Sequence, residues 1–482
     1  MTSRLLRLTS FLLIVILFLS ACGPVTAVPT LEPSATRTPR ATEPVIPATS
    51  TATRLPSINV SAESLHGARI QVWYALSGAS EQAFLSLMAR FNSVNEWGIT
   101  VDAVSQGDYQ TLGEAVGSSL IQASDQPASP DLVIALPEQI LVWNASGVVV
   151  GLDPYIADSK WGLTENGGAD DFVPTFWDQN RVNGRMLAVP AEYSGRYLFY
   201  NVTWAHELGF DHPPVTSDDF RGQACAANGS FRKDADPSDD GYGGWIVDTN
   251  WQTIYPLLLA YGQGMIDGDQ YHFHTDANVA ALTFLKNLKD DGCAWMAIDP
   301  ENPPALNTGP FYEQFARRSA LFITGDLTEV PALNDTMARL NNSDEWTVTP
   351  FPGPDGGGVA VYGPSYTLLT STPEKQLAAW VFVRWMLSAE NQAKWVGKTG
   401  TLPLRISVLD QVADYRSTHP QWADAVNLLP FIIGVPQLAS WGTLRYVLQD
   451  GTMDIFRMNL PPDQIPAVLE EMDATANELL NK

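Results

Sequence analysis

Residues 69–74, Arg-Ile-Gln-Val-Trp-Tyr, and residues 131–136, Asp-Leu-Val-Ile-Ala-Leu, are the stretches whose reading decides the fold. The first reads as a strand. The second is a near-continuous apolar run, the pattern of a strand buried on both faces. Between them Phe84, Leu87, Met88 and Phe91 recur at helical spacing, Ile99 to Val104 forms another strand, and Leu112, Val116 and Leu120 mark a second helix. This βαβαβ order predicts an open parallel sheet with helices on both faces. Ligands on such sheets gather beyond the carboxyl ends of the strands, which directs attention to Tyr74–Ser77, Gln106–Tyr109 and Pro137–Gln139.

Further along, the periodicity thins. Val279, Leu282, Leu285 and Leu288 predict one helix, and Glu374 to Leu387 predicts another with Leu377, Trp380, Val381 and Trp385 inward. Ile465, Leu469 and Met472 predict a terminal helix, and no internal repeat is visible. With 482 residues, 45% hydrophobic and 17% charged, the chain is long enough for two or more cored lobes and has a soluble balance. Its formal net charge of −25, from 53 acidic and 28 basic side chains, repels phosphates and anionic headgroups and sets nucleic-acid binding aside.

At the N-terminus, Arg4 and Arg7 precede the apolar run Phe11–Leu19. That run suits a signal leader and falls short of the roughly 20 residues a bilayer span needs. Leu19-Ser20-Ala21-Cys22 follows, and it resembles the bacterial lipoprotein box, in which the leader is cut before the cysteine and the cysteine is lipidated. The resemblance implies a leader over 1–22 with Cys22 as the lipid attachment site and a location outside the cytoplasm on the bacterial cell membrane. Residues 23–66 are rich in Pro, Thr, Ser and Ala without apolar periodicity, the composition of a disordered tether. Cys225 and Cys293 remain. In an exported protein they are expected to pair, and two buried free thiols are the alternative.

Several short motifs then occur in a meaningful order. They are Val72-Trp73-Tyr74, Ser129-Pro130-Asp131-Leu132-Val133, the run Trp177-Asp178 through Asn183-Gly184-Arg185-Met186-Leu187-Ala188-Val189-Pro190, and Tyr200-Asn201. Ala320-Leu321-Phe322-Ile323-Thr324-Gly325 and Gly400-Thr401-Leu402-Pro403-Leu404-Arg405 follow. Each is weak alone. Together they resemble the family 1 extracellular solute-binding proteins, the group containing maltose-binding protein, over nearly all of 67–482. The resemblance implies an α/β, two-lobed periplasmic-binding-protein-like fold of type II, with hinged lobes and the ligand cleft between them. It places crossings near Ala191, Asp326 and Thr372, so that 67–191 with 327–371 forms lobe 1 and 192–326 with 372–482 forms lobe 2. It further implies a monomeric binding component of an ABC importer that carries a sugar or similar small polar solute to permease subunits, with no cofactor and no chemistry of its own.

The cleft of such a protein needs oriented polar groups and flat apolar faces, and Trp and Tyr supply both. Tyr74 and Ser77 lie at the end of the first strand, and Asp108 with Tyr109 begins the second helix. The resemblance points to Glu138 as a sugar-binding carboxylate, and to Tyr193 and Ser194 after the first crossover. Glu192 stands two positions earlier than the family's cleft carboxylate. Asn250, Trp251 and Gln252 open a helix of the second lobe, Tyr362 and Tyr366 flank Gly363 at a strand end expected in the first lobe, and Trp441 is a candidate stacking ring. Two departures stand out: Leu76-Ser77-Gly78 replaces a charged pair of the maltose-type proteins, and Leu327 replaces a Trp. The solute therefore need not be a maltodextrin.

Other chemistries are less well supported. His272 and His274 have no third ligand at motif spacing, and Asp239 stands where an EF-hand loop needs Gly, so Asp234, Asp236, Asp239 and Asp240 read as a solvated acidic loop and no metal site is expected. No nucleophile elbow, P-loop or dinucleotide fingerprint occurs. A secreted glycoside hydrolase is the rival reading, since any acidic chain offers carboxylate pairs.

Overall fold

The structure is a computed structural model and describes residues 58–121, 129–262, 264–268, 270–297, 310–457 and 460–480. The leader, Cys22 and most of the tether lie outside the described residues. The tether was expected to run to residue 66, yet residues 58–66 belong to the fold: Leu65 is fully buried, and the Ile58 amide donates to Asp158 Oδ2 at 2.8 Å.

Strand β1 (Arg69–Tyr74), helix α1 (Gly78–Val94), β2 (Thr100–Ser105), α2 (Tyr109–Ile121), β3 (Leu132–Ala135) and α3 (Pro137–Ala145) follow the predicted order. β1 lies between β2 and β3 and parallel to both, with Val72 opposite Ala103 on one side and Leu132 on the other. Successive side chains of a strand point to opposite faces. Ile70, Val72 and Tyr74 thus enter one core, covered by Phe84, Leu87 and Phe91 of α1, while Trp73 enters another with Leu112 and Val116 of α2. Asp131 of the Pro-Asp motif has a structural role: it accepts the Gln71 amide at 3.0 Å and pairs with Lys375 at 3.2 Å.

The edge strand β4 (Val189–Pro190) leads through residues 191–193 into β5 (Ser194–Asn201), the centre of a second sheet. β6 (Trp245–Ile246), β7 (Ala294–Trp295), β8 (Phe322–Asp326), β9 (Trp346–Thr349), β10 (Phe351–Gly353) and β11 (Gly356–Tyr362) join it. Helices α4 (Ser217–Phe231), α5 (Trp251–Tyr261) and α6 (Asp276–Asp290) pack into its core through residues such as Phe220, Ile254 and Leu285, and α7 (Val330–Arg339) follows β8. The chain returns at Gly363–Pro364 as β12 (Ser365–Leu368), which lies between β3 and β4 and antiparallel to both. The first sheet is therefore parallel only in its β2-β1-β3 part.

Helices α8 (Pro373–Met386) and α9 (Ala389–Thr399) then pack on β1, β12 and α1. α10 (Pro420–Asn427) packs on β9, strand β13 (Ile432–Gly434) pairs with β11, and α11 (Trp441–Arg457) and α12 (Ile465–Leu480) close the second core. A disulfide joins Cys225 of α4 to Cys293 at the start of β7, tying a helix to an edge strand.

The two sheets correct the expected division of the chain. Near Ala191 the chain leaves β4 of the first sheet and enters β5 of the second. At Asp326 the chain stays with the second sheet, turning into α7 and back as β9, and 346–362 pairs with β5 rather than joining the first lobe. At Thr372 it stays with the first sheet, because α8 buries Leu377, Trp380 and Phe382 in the core beneath β1. Tyr362 accordingly belongs to the second sheet, opposite Ser194.

Candidate functional site

The passes between the sheets lie against one another. Ala191 donates its amide to Pro364 O at 3.0 Å, and Leu402 donates its amide to Tyr193 O at 2.9 Å. Gly363 is required by this closeness, since a Cβ there would stand 1.9 Å from the backbone oxygen of Glu192. Around these passes lies a cavity of about 420 Å³, within the roughly 300–1,000 Å³ usual for small-molecule sites. Leu76, Ser77, Ser80, Tyr109 and Leu136 line it from the first sheet, and Ser194, Asp326, Thr328 and Tyr362 from the second. Glu192, Gly363 and Pro364 of the passes, with Thr399 and Thr401, form its inner side. The cavity sits at the carboxyl ends of β1 and β3, where strand order predicted a ligand.

Two carboxylates dominate its chemistry. Ser80 Oγ donates to Glu192 Oε2 at 2.7 Å and Trp395 Nε1 donates to the same oxygen at 3.2 Å. Burial pushes the Glu192 carboxyl up to about 7 against these two bonds, and the charge of Asp326 pushes it further the same way. Asp326 accepts the hydroxyls of Ser194 and Tyr362, one on each oxygen. Burial first, and then the charge of Asp326, holds the Tyr362 hydroxyl well above its ordinary range, so it remains a donor. Behind Asp326 the Arg196 guanidinium stands 3.2 Å from Asp248 and 3.5 Å from Glu329.

The structure brings Ser77, Ser194 and Tyr362 of the predicted residues to the cavity, together with Tyr109 and Glu192. The others lie elsewhere. Tyr74 is in the core against Phe84, with its hydroxyl donating to Glu81 Oε1 at 3.0 Å. Asp108 is exposed and caps α2 by accepting the Thr111 amide at 2.7 Å. Tyr193 is fully buried and stacks on Phe176 at 4.6 Å, and Tyr366 is fully buried beneath the site.

Glu138, Trp251 and Trp441 form a cluster at the junction of the lobes that adjoins the cavity through Tyr362. Arg445 of α11 donates from Nη1 to Glu138 Oε1 at 3.1 Å, and its guanidinium lies 5.5 Å above the Trp251 ring. Trp251 meets Trp441 edge-on at 5.3 Å and Tyr362 at 5.4 Å, and Asn250 precedes it at the start of α5. Burial raises the Glu138 carboxyl although Arg445 opposes the shift. Sequence reasoning placed Glu138 and Trp251 in the cleft and missed their partner Arg445. It also took Asp326 for a crossing point and missed its place in the cavity. Alternation along β5 was the available signal for Arg196, two residues beyond Ser194 on the same face.

Among the described residues, no group of three or more His, Cys, Asp or Glu side chains is placed to hold a metal, and no helix is long and apolar enough to cross a membrane. Asp234 and Asp236 accept bonds from their own loop, and His274 lies 3.4 Å from Glu470.

Two α/β lobes joined by adjacent passes, with a cavity at the junction that sets two carboxylates among apolar walls, define a two-lobed solute-binding protein. Residues 86–429 match the family model for bacterial extracellular solute-binding proteins. The chain belongs to that family. Among solved structures it is similar to the sugar-binding protein MalE from Xanthomonas citri, at 19% identity and a TM-score of 0.71, covering 86% of this chain and 97% of that one. It is similar to a cyclic alpha-maltosyl-1,6-maltose binding protein from Arthrobacter globiformis, at 18% identity and a TM-score of 0.67, covering 85% and 98%. A third is UgpB from Mycobacterium tuberculosis, solved with glycerophosphocholine, at 18% identity and a TM-score of 0.67, covering 86% and 99%. At these identities the likeness speaks for the fold.

Proposed function

We propose that this protein is the binding component of an ABC importer, capturing a small polar solute such as a sugar by closure of its two lobes and delivering it to a permease. The observation that carries this reading is the cavity shared by both sheets at the passes between them. A solute there touches both lobes only when they are closed, so its binding energy favours the closed form. The related structures described as binding maltosyl sugars or glycerophosphocholine support a small hydroxylated ligand.

In the same reading the protein has no catalytic activity, works as a monomer and is held at the outer face of the cell membrane by lipid on Cys22. The segment 23–57 serves as its spacer. A thermal-shift series with mono- and oligosaccharides tests the proposal. A ligand at a hundredfold excess over its Kd should stabilise the protein by about 2.7 kcal/mol and be recovered unchanged. Release of a cleaved product would instead reinstate the hydrolase reading, and a series without any stabilising solute would remove the transport one.

A further inference from the structure

The charges around the cavity do not balance. Glu192 and Asp326 line it, and no lysine, arginine or histidine lies among the described residues that form its wall. Arg196, the guanidinium behind Asp326, is shared among Asp248 at 3.2 Å, Glu329 at 3.5 Å and the charge of Asp326, one cation for three carboxylates. The oxygens of Asp326 are each occupied by a hydroxyl. Glu192 is different: both of its donors, Ser80 and Trp395, approach Oε2, and Oε1 accepts no hydrogen bond among the described residues while the side chain faces the cavity. Asp326 shares Arg196 with two other carboxylates, and Glu192 has no cation of its own, so its burial is relieved either by a proton or by a positive group that enters with the ligand.

We infer that the solute carries an ammonium group alongside its hydroxyls, as an amino sugar or a hydroxylated amine does, and that the ammonium lies against Glu192 Oε1 with Asp326 as the second counter-charge. The inference rests on the reading of this cavity as the solute site. The hydroxyls of Ser77 and Thr328 supply polar contacts, and Leu76 and Leu136 cover the apolar side of the ligand. The ammonium supplies the counter-charge that ionised Glu192 lacks, whereas a neutral polyol would leave that carboxyl to hold a proton instead.

Calorimetric titration of the purified protein with matched pairs tests this. The pairs are N-methylglucamine with glucitol, glucosamine with glucose, and ethanolamine with ethylene glycol. At least one amine should bind, and at least tenfold more tightly than its hydroxyl twin. Glu192→Gln should abolish that preference, and Asp326→Asn, as a second variant, should weaken amine binding. A neutral member that binds as well as its amine twin, or a preference that survives both substitutions, overturns the inference and leaves the solute-binding reading intact. Failure of every amine to bind overturns the inference, and the solute-binding reading then stands or falls on the mono- and oligosaccharide series.

Discussion

Glu192 shows what a single side chain is asked to do here. Its carboxyl is pushed from 4.5 up to about 7, first by burial and then by Asp326, against hydrogen bonds from Ser80 and Trp395. A carboxyl that holds its proton more tightly in the folded state stabilises the fold below its unfolded value, and this contribution fades as pH rises through the folded value. Glu192→Gln removes the titration. The variant should therefore gain stability relative to the natural protein between about pH 5 and about pH 8, by up to about 2 kcal/mol. Melting temperatures of both proteins at the two pH values check this, and an equal offset at both would contradict it. Arg445 gives a second test. It is the partner of Glu138, and Arg445→Met leaves that carboxylate buried and alone, for an expected loss of about 3 kcal/mol in chemical denaturation. Adding Glu138→Gln should recover part of the loss, as coupling between contacting residues requires. Glu138 was legible from its position beyond β3, but its role was not, because Arg445 lies three hundred residues away on a helix of the other lobe.

At the scale of elements, the passes between the sheets and the disulfide are the sensitive parts. A methyl group at Gly363 would meet the Glu192 carbonyl at 1.9 Å, and a backbone oxygen cannot yield as the end of a flexible side chain does. Gly363→Ala should cost about 2 kcal/mol or more and lower the Tm, with solute affinity falling because Glu192 is displaced. The disulfide closes 68 residues of chain between α4 and β7. Replacing both Cys225 and Cys293 by Ser should reduce stability by about 4 kcal/mol on the chain-entropy model, read as a lower urea midpoint. Helices and buried strands were the legible elements. β1 to β3 and the helix from 373 follow directly from periodicity, because one buried face imposes one period. The partners of β8, β11 and α8 were not legible, since periodicity says that a segment is buried and not which sheet buries it.

At the scale of the molecule, closure is the property that function needs. The Glu138–Arg445 pair bridges the lobes directly, at 3.1 Å. Arg445→Met should therefore enlarge the radius of gyration of the solute-free protein, and a bound solute should reduce it again, both measurable by small-angle scattering. An unchanged radius would mean that the pair does not contribute to closure. By itself the sequence determined the α/β class, the β2-β1-β3 part of the first sheet with α1 and α2, the order of family motifs and the importance of strand ends, because these depend on local periodicity and short-range pattern. Only the tertiary structure decided where the chain changes lobes, that Glu138 serves Arg445 and that Glu192 and Asp326 face one cavity. The meeting of distant side chains in a closed space, and the desolvation that then sets their charge, exist only once both sheets are packed.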